Sequence, residues 1–119
     1  MIIELPFPSS ELHSHNKGHW RDKHDARKSA REIACGIGLE MLGRKPKCKS
    51  AMTIGYYFFL PKDIVRDEAN LIHSMKASID GLVDSGLIYK DEWKHLHMVE
   101  IKCEVDRENP RVELKLERA

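Results

Sequence analysis

The chain has 119 residues, with 41% hydrophobic and 33% charged side chains, 20 Lys plus Arg against 19 Asp plus Glu, and seven His. That length suits one domain with its own core and leaves no room for separate catalytic and recognition domains. The longest apolar stretch, Ile54 to Leu60, is too short to span a bilayer, and Met1 to Phe7 lacks the basic lead and cleavage site of a secretory signal, so a cytoplasmic location without membrane contact is expected.

From the amino terminus, Ile2 to Phe7 reads as a short strand stopped by Pro6 and Pro8. A polar loop from Ser9 to Trp20 follows, carrying His13, His15, Lys17 and His19. From about Arg21 to Leu42 the spacing predicts a helix, with Ala26, Ala30, Ile33, Ala34, Ile37 and Met41 on one side and Lys23, Arg27, Lys28 and Arg31 largely on others. Gly36 and Gly38 weaken its middle and point to a bend or a close helix contact. Ser50 to Leu60 is rich in strand formers, apolar at nearly every position, and predicts a central strand buried on both faces at its end.

A second helix is expected over about Asn70 to Asp84, with Ile72, Met75, Ile79, Leu82 and Val83 at helical spacing and Gly86 ending it. Two alternating strands finish the chain, joined by a turn from Asp106 to Pro110. Val99, Ile101, Cys103 and Val105 share one face of the first, and Val112, Leu114 and Leu116 one face of the second. The order β-α-β-α-β-β implies a small single α/β domain with a mixed sheet and two main helices.

Cys35, Cys48 and Cys103 are odd in number and widely spaced, which fits neither a disulfide framework nor a paired zinc motif. Reduced thiols are expected, two of them partly buried. The near-zero net charge argues against nucleic acid only as a total. Residues 1–50 carry ten basic and six acidic side chains and residues 51–119 ten and thirteen, so the halves stand at +4 and −3. A basic part that holds phosphates beside an acidic part that holds metal is the division a metal-dependent nuclease needs, although a mixed solvated surface has the same composition.

Chemistry concentrates between Val65 and His97. His73, Lys76, Asp80 and Asp84 repeat every three or four residues, a polar stripe that core packing does not require. Asp67 and Glu68 precede it, and Asp91 and Glu92 follow it. Clustered carboxylates suit magnesium or manganese, and a nearby lysine supplies positive charge to a phosphate in reaction. Each residue also has an ordinary structural role open to it: Asp67 or Glu68 as a helix-cap acid, Lys76 with Asp80 as an i,i+4 pair.

The run Arg66-Asp67-Glu68-Ala69-Asn70-Leu71, then Lys76, then Asp80 through Ile88, then Asp91-Glu92-Trp93, resembles the RusA family of Holliday-junction resolvases, common in phages and prophages. Leu5 to Pro8 with Asn16 and Trp20 is similar to that family's opening strand and proline-rich loop, so the likeness covers nearly the whole chain. The resemblance implies a cytoplasmic homodimer, acting in a bacterial host cell, that binds four-way DNA junctions and nicks two strands symmetrically with magnesium or manganese. Asp67 and Asp91 match metal-ligand positions, Lys76 the helix lysine, and Asp80 a further acid; Glu92 is an added candidate ligand. Catalytic roles are thereby implied for Asp67, Lys76 and Asp91. Ala69 departs from the family aspartate and Lys90 from the first residue of an Asp-Asp pair, and both departures weaken cation binding. A noncatalytic branched-DNA-binding protein of the same fold is the alternative.

For phosphate contacts the candidates are Lys17, Arg21, Lys23, Arg27, Lys28 and Arg31, with Arg66 and Asn70 beside the acidic motif. Trp20 either anchors the helix or stacks on an unpaired base, anchoring being the expectation. His13, His15, His19, His24, His95 and His97 lack zinc-site spacing and read as a polar DNA-facing set. Arg44, Lys45, Lys47 and Lys49 form a second basic cluster that either extends a DNA track or solvates a turn.

Overall fold

The alternating apolar runs become four strands and the periodic segments become helices in the computed structural model, which describes residues 1–9, 12, 20–63 and 67–119. In chain order these are β1 (Ile2–Pro6), α1 (Trp20–Leu42), β2 (Met52–Leu60), α2 (Glu68–Ser74), α3 (Lys76–Ser85), β3 (Leu96–Val105) and β4 (Arg111–Arg118). One mixed sheet has the order β1-β4-β2-β3, with β2 parallel to β3 and antiparallel to β4. The domain is therefore α/β, as its pattern predicts.

Three helices stand where two are expected, because the segment 68–85 breaks at Met75. There φ is −92° and ψ −2°, and the Met75 amide reaches back to the Ile72 carbonyl at 3.0 Å, a tightened turn. The Ser74 hydroxyl donates to the Leu71 carbonyl at 2.6 Å, competing with the helical ladder at the same place. Leu71, Met75, Ile79 and Leu82 still all reach the core, so apolar burial survives the break. Gly86, at φ +88°, ends α3 in the left-handed region that favours glycine.

β2 is central, but only one of its faces is deeply buried. Met52, Ile54, Tyr56, Phe58 and Leu60 face the helices, while Thr53, Tyr57 and Phe59 are half-exposed on the other side. There the Tyr57 hydroxyl donates to the Glu100 carboxylate, and the Arg111 guanidinium lies 3.8 Å from the Phe59 ring centre. Among the described residues the helices cover one face, and on the other the outer aromatics find charged partners.

The register of β3 shifts between the pairs Ile54–Met98 and Gly55–Glu100, leaving Val99 as an extra residue, 64% exposed. Val99 is thus out of step with Ile101, Cys103 and Val105, and the single shared face expected of these four residues is interrupted by the bulge. Residues 106–110 do not close a hairpin either. They carry the chain over the end of β2, where the Asp106 amide donates to the Leu60 carbonyl at 2.9 Å, so that β4 pairs with β2.

Asp106 organises this crossover. Its Oδ1 accepts the Asn109 amide at 3.1 Å and its Oδ2 the Arg111 guanidinium at 2.9 Å. The Arg111 hydrogen bond holds the Asp106 carboxyl below the usual carboxylate range. A depressed carboxyl contributes stability that is present above its unfolded pKa and lost as pH falls through the folded one. Asp106→Asn, which keeps the turn acceptor and removes the charge, is expected to lower stability near neutral pH and flatten its fall toward acid, read from denaturant midpoints across pH 2 to 7.

α1 packs along α3. Only Ala34 and Gly38 of α1 are fully buried, and a Cβ at Gly38 would lie 2.2 Å from the Ser85 Oγ, so the expected close contact occurs there, while Gly36 faces open space. Ile33 and Met41, expected on the buried side, are 45% and 39% exposed, because residues this small at the contact bring α1 onto α3 rather than onto the sheet. Trp20, expected as a packed anchor, is 66% exposed, with the Arg21 guanidinium 5.7 Å from its ring centre. Cys35 and Cys48 are half-buried and Cys103 exposed, all three as free thiols. No helix among the described residues is long and apolar enough to cross a membrane.

Candidate functional site

The break at Met75 makes Lys76 the first residue of α3, on the outer side of the helix, while Ala77, Ser78 and Ile79 turn inward. Asp80, one turn on, accepts from the Lys76 Nζ at 2.8 Å. Asp91 comes from the loop after α3 and accepts from the same nitrogen at 2.6 Å. That loop is held by Leu87 and Ile88, which are 3% and 1% exposed, and by the Ile88 amide bonded to the Leu82 carbonyl. Two apolar anchors thus bring a carboxylate fifteen residues away in sequence onto the helix lysine.

The hydrogen bonds that Lys76 donates to Asp80 and Asp91 raise its pKa above the ordinary value, so its ammonium stays charged through the neutral range. It cannot serve there as a general base; it supplies fixed positive charge. Burial, with a smaller contribution from the Asp91 charge, pushes the Tyr56 phenol beyond its usual range, so Tyr56 remains a neutral hydroxyl under the site.

A groove of about 330 Å³ runs from this cluster along α1, lined by His24, Arg27, Lys28, Arg31, Lys76 and Asp80. Positions 24, 27, 28 and 31 are three and four residues apart and therefore share one helix stripe. Arg27, Lys28 and Arg31 are the phosphate contacts that the sequence predicts, and His24, which reads there with the other histidines, joins them; its spacing to Arg27 and Lys28 is the signal that places it here. Arg31 also forms a two-pronged pair with Asp84, at 2.6 and 2.9 Å, which fastens α1 to α3 and holds the Asp84 carboxyl below its usual range.

The remaining candidates are dispersed. Asp67 caps α2, its Oδ1 accepting the Ala69 amide at 2.9 Å. Glu68 is the first helical residue, not part of an extended run, and its charge lies close enough to Cys103 to add to the rise that desolvation imposes on that thiol. Asn70 is half-buried in the first turn of α2. Arg21 stacks at Trp20, and Lys23 lies half-buried on α1. Glu92 turns toward His95, with 3.4 Å between its Oε2 and a buried Nδ1 that makes no hydrogen bond; the pair is a loose electrostatic contact at most. Lys90 sits over the Tyr89 ring at 5.1 Å. His73 belongs to α2, so the break separates it from the Lys76, Asp80 and Asp84 stripe. Lys17, Arg66, His13, His15 and His19 lie outside the described residues.

Asp80 and Asp91 converge on one cationic atom at oxygen distances of 2.8 and 2.6 Å, so the pair has the charge and spacing to accept a hard cation. Magnesium keeps several waters and is commonly held by one or two carboxylates plus a substrate phosphate, which this pair fits. Among the described residues no three His, Cys, Asp or Glu side chains group so as to hold a metal ion, so the donor set does not amount to a closed cage. No protein-family model matches the chain, and neither does any curated protein.

Proposed function

We propose that the protein is a RusA-like endonuclease that binds four-way DNA junctions and hydrolyses phosphodiester bonds with magnesium or manganese, two copies acting on the two-fold symmetric junction. The observation that carries this reading is the basic groove of α1 leading onto Lys76 between Asp80 and Asp91. Arg27 and Lys28 would hold backbone phosphates, delivering the reacting phosphodiester to the cluster. Lys76, held as an ammonium, would face the charge that grows on the phosphate oxygens. Asp80 and Asp91 would hold the divalent ion; Asp67, which the resemblance makes a ligand, caps α2 and would have to move to join them. A bound ion supplies activation of water and neutralisation of the leaving oxygen. The fixed charges of Lys76 and the groove orient the substrate whether or not the ion is present.

The phosphate track is tested by Arg27→Glu combined with Lys28→Glu. Both side chains are exposed, so the fold is expected to persist. Junction affinity at moderate salt is expected to fall by more than about tenfold, and the slope of log affinity against log salt to shrink in magnitude by about 2, the loss of two phosphate contacts. Unchanged affinity and slope, measured by fluorescence anisotropy, would remove the groove from the DNA path.

A second reading, a noncatalytic branched-DNA-binding protein, is favoured by one feature: the Lys76 ammonium already satisfies both carboxylates, and Ala69 offers no third. Ala69→Asp separates the two. An acid in the first turn of α2 suits the helix dipole, so stability is expected to hold or rise slightly. On the endonuclease reading, nicking at limiting magnesium increases; on the binding reading, junction affinity is retained and nicking stays at background with either residue.

A further inference from the structure

At the far end of α3 from Lys76 lies a second groove, of about 590 Å³, chiefly apolar in its lining. α3 has ten residues, so at 1.5 Å per residue the two sites are separated by about 15 Å along the helix. Leu42, Met52 and Leu87 form its floor, and Lys45, Lys47, Lys49 and Arg118 stand around it. Among the described residues none of these four cations has an acidic partner, whereas Arg31, Lys76, Lys102, Arg111 and Lys115 are all paired with carboxylates. The segment bearing the lysines is fixed in place: the Cys48 amide donates to the Gly86 carbonyl at 2.8 Å, and the Lys47 stem lies against Gly86, where a Cβ would come within 2.5 Å of its Cγ.

We infer that this groove is a docking site for an acidic peptide segment of a partner protein, one carrying an aromatic or long aliphatic side chain among its carboxylates. Charge complementarity selects the partner's sign: four unpaired cations at one rim repel one another and are relieved by carboxylates. The apolar floor selects its second feature. A phosphate backbone would meet the cations and leave the floor unfilled, whereas a peptide places an apolar side chain on Leu42, Met52 and Leu87 while its carboxylates reach the rim. A solvated turn would need neither the floor nor the convergence of Lys45, Lys47 and Lys49 with Arg118.

The test uses the full chain and a fluorescein-labelled peptide of alternating Asp and Gly ending in Phe, followed by anisotropy. Saturable binding that weakens with rising salt is expected. Replacing the peptide's Phe by Ser is expected to weaken it by about tenfold, the loss of one buried aromatic side chain. Lys45→Glu with Lys47→Glu, both exposed positions, is expected to weaken it by at least as much while leaving four-way junction affinity unchanged. The circular dichroism spectrum of that variant establishes that it is folded. Absence of binding, or equal binding of the Phe and Ser peptides, would overturn the proposal. So would loss of junction affinity in the double variant, which would assign the rim to DNA, or displacement of the peptide by anionic phospholipid vesicles but not by unlabelled peptide.

Discussion

Asp91→Asn is expected to lower the rate of junction nicking by about 10²- to 10³-fold with junction binding retained. Asparagine keeps the size and one oxygen of the side chain but removes the charge on which the Lys76 ammonium and a divalent ion both depend. Asp91 is exposed at the end of a loop whose anchors are Leu87 and Ile88, and neither anchor changes in the variant. Losing one surface ion pair is expected to cost under about 1 kcal/mol, so the fall in rate cannot come from unfolding. The companion variant Asp67→Asn keeps a good helix cap for α2, so any loss of nicking there reports a ligand role and not a structural one. Single-turnover nicking and anisotropy on one labelled junction separate rate from binding. A rate within about twofold of the parent for Asp91→Asn would remove Asp91 from the chemistry.

Gly81→Ala is expected to destabilise the fold by about 1–3 kcal/mol, the range for forcing extra volume into a packed contact. In an isolated helix the same change would favour the helix by about 1 kcal/mol, so the sign of the result decides between intrinsic propensity and packing. Packing should win because an added Cβ would lie 2.2 Å from the Arg31 carbonyl oxygen and 3.0 Å from the Ala34 Cβ. The first is backbone and cannot turn aside as a side chain can, so α1 must move off α3. Arg27, Lys28 and Arg31 ride on that helix, and junction affinity is expected to fall along with the urea midpoint. A midpoint equal to or above the parent's would contradict the close α1–α3 contact.

The strands and helices were legible because burial here follows simple periods. Val112, Leu114 and Leu116 alternate in β4, and Met52 to Leu60 reads as a strand from its strand-forming residues, although its one-sided burial is not legible in a run apolar at nearly every position. The break at Met75 was not legible, because Ile72, Met75 and Ile79 continue the helical spacing straight through it while the interruption comes from a serine hydroxyl bonded to the backbone. Ile33 lies exposed for a related reason: its apolar character favours burial, but the α1–α3 contact is made by Ala34, Gly38 and Gly81, and larger residues are left outside. At the site, Lys76 with Asp80 is an i,i+4 pair that spacing alone announces. The pairing of Lys76 with Asp91 depends on how the loop after α3 folds back on Leu87 and Ile88, and nothing local encodes that return. What the geometry adds at Asp91 is its ion pair with Lys76.

The most direct measurement is cleavage of an end-labelled four-way junction, with a linear duplex of the same sequence as control, as magnesium or manganese is titrated against the 119-residue chain. The endonuclease account predicts paired nicks at symmetric positions, rising with metal concentration, absent with a chelator, and confined to the junction. Tight, salt-dependent junction binding with no nicking at any metal concentration would contradict it in favour of the binding protein, and equal handling of junction and duplex would contradict both.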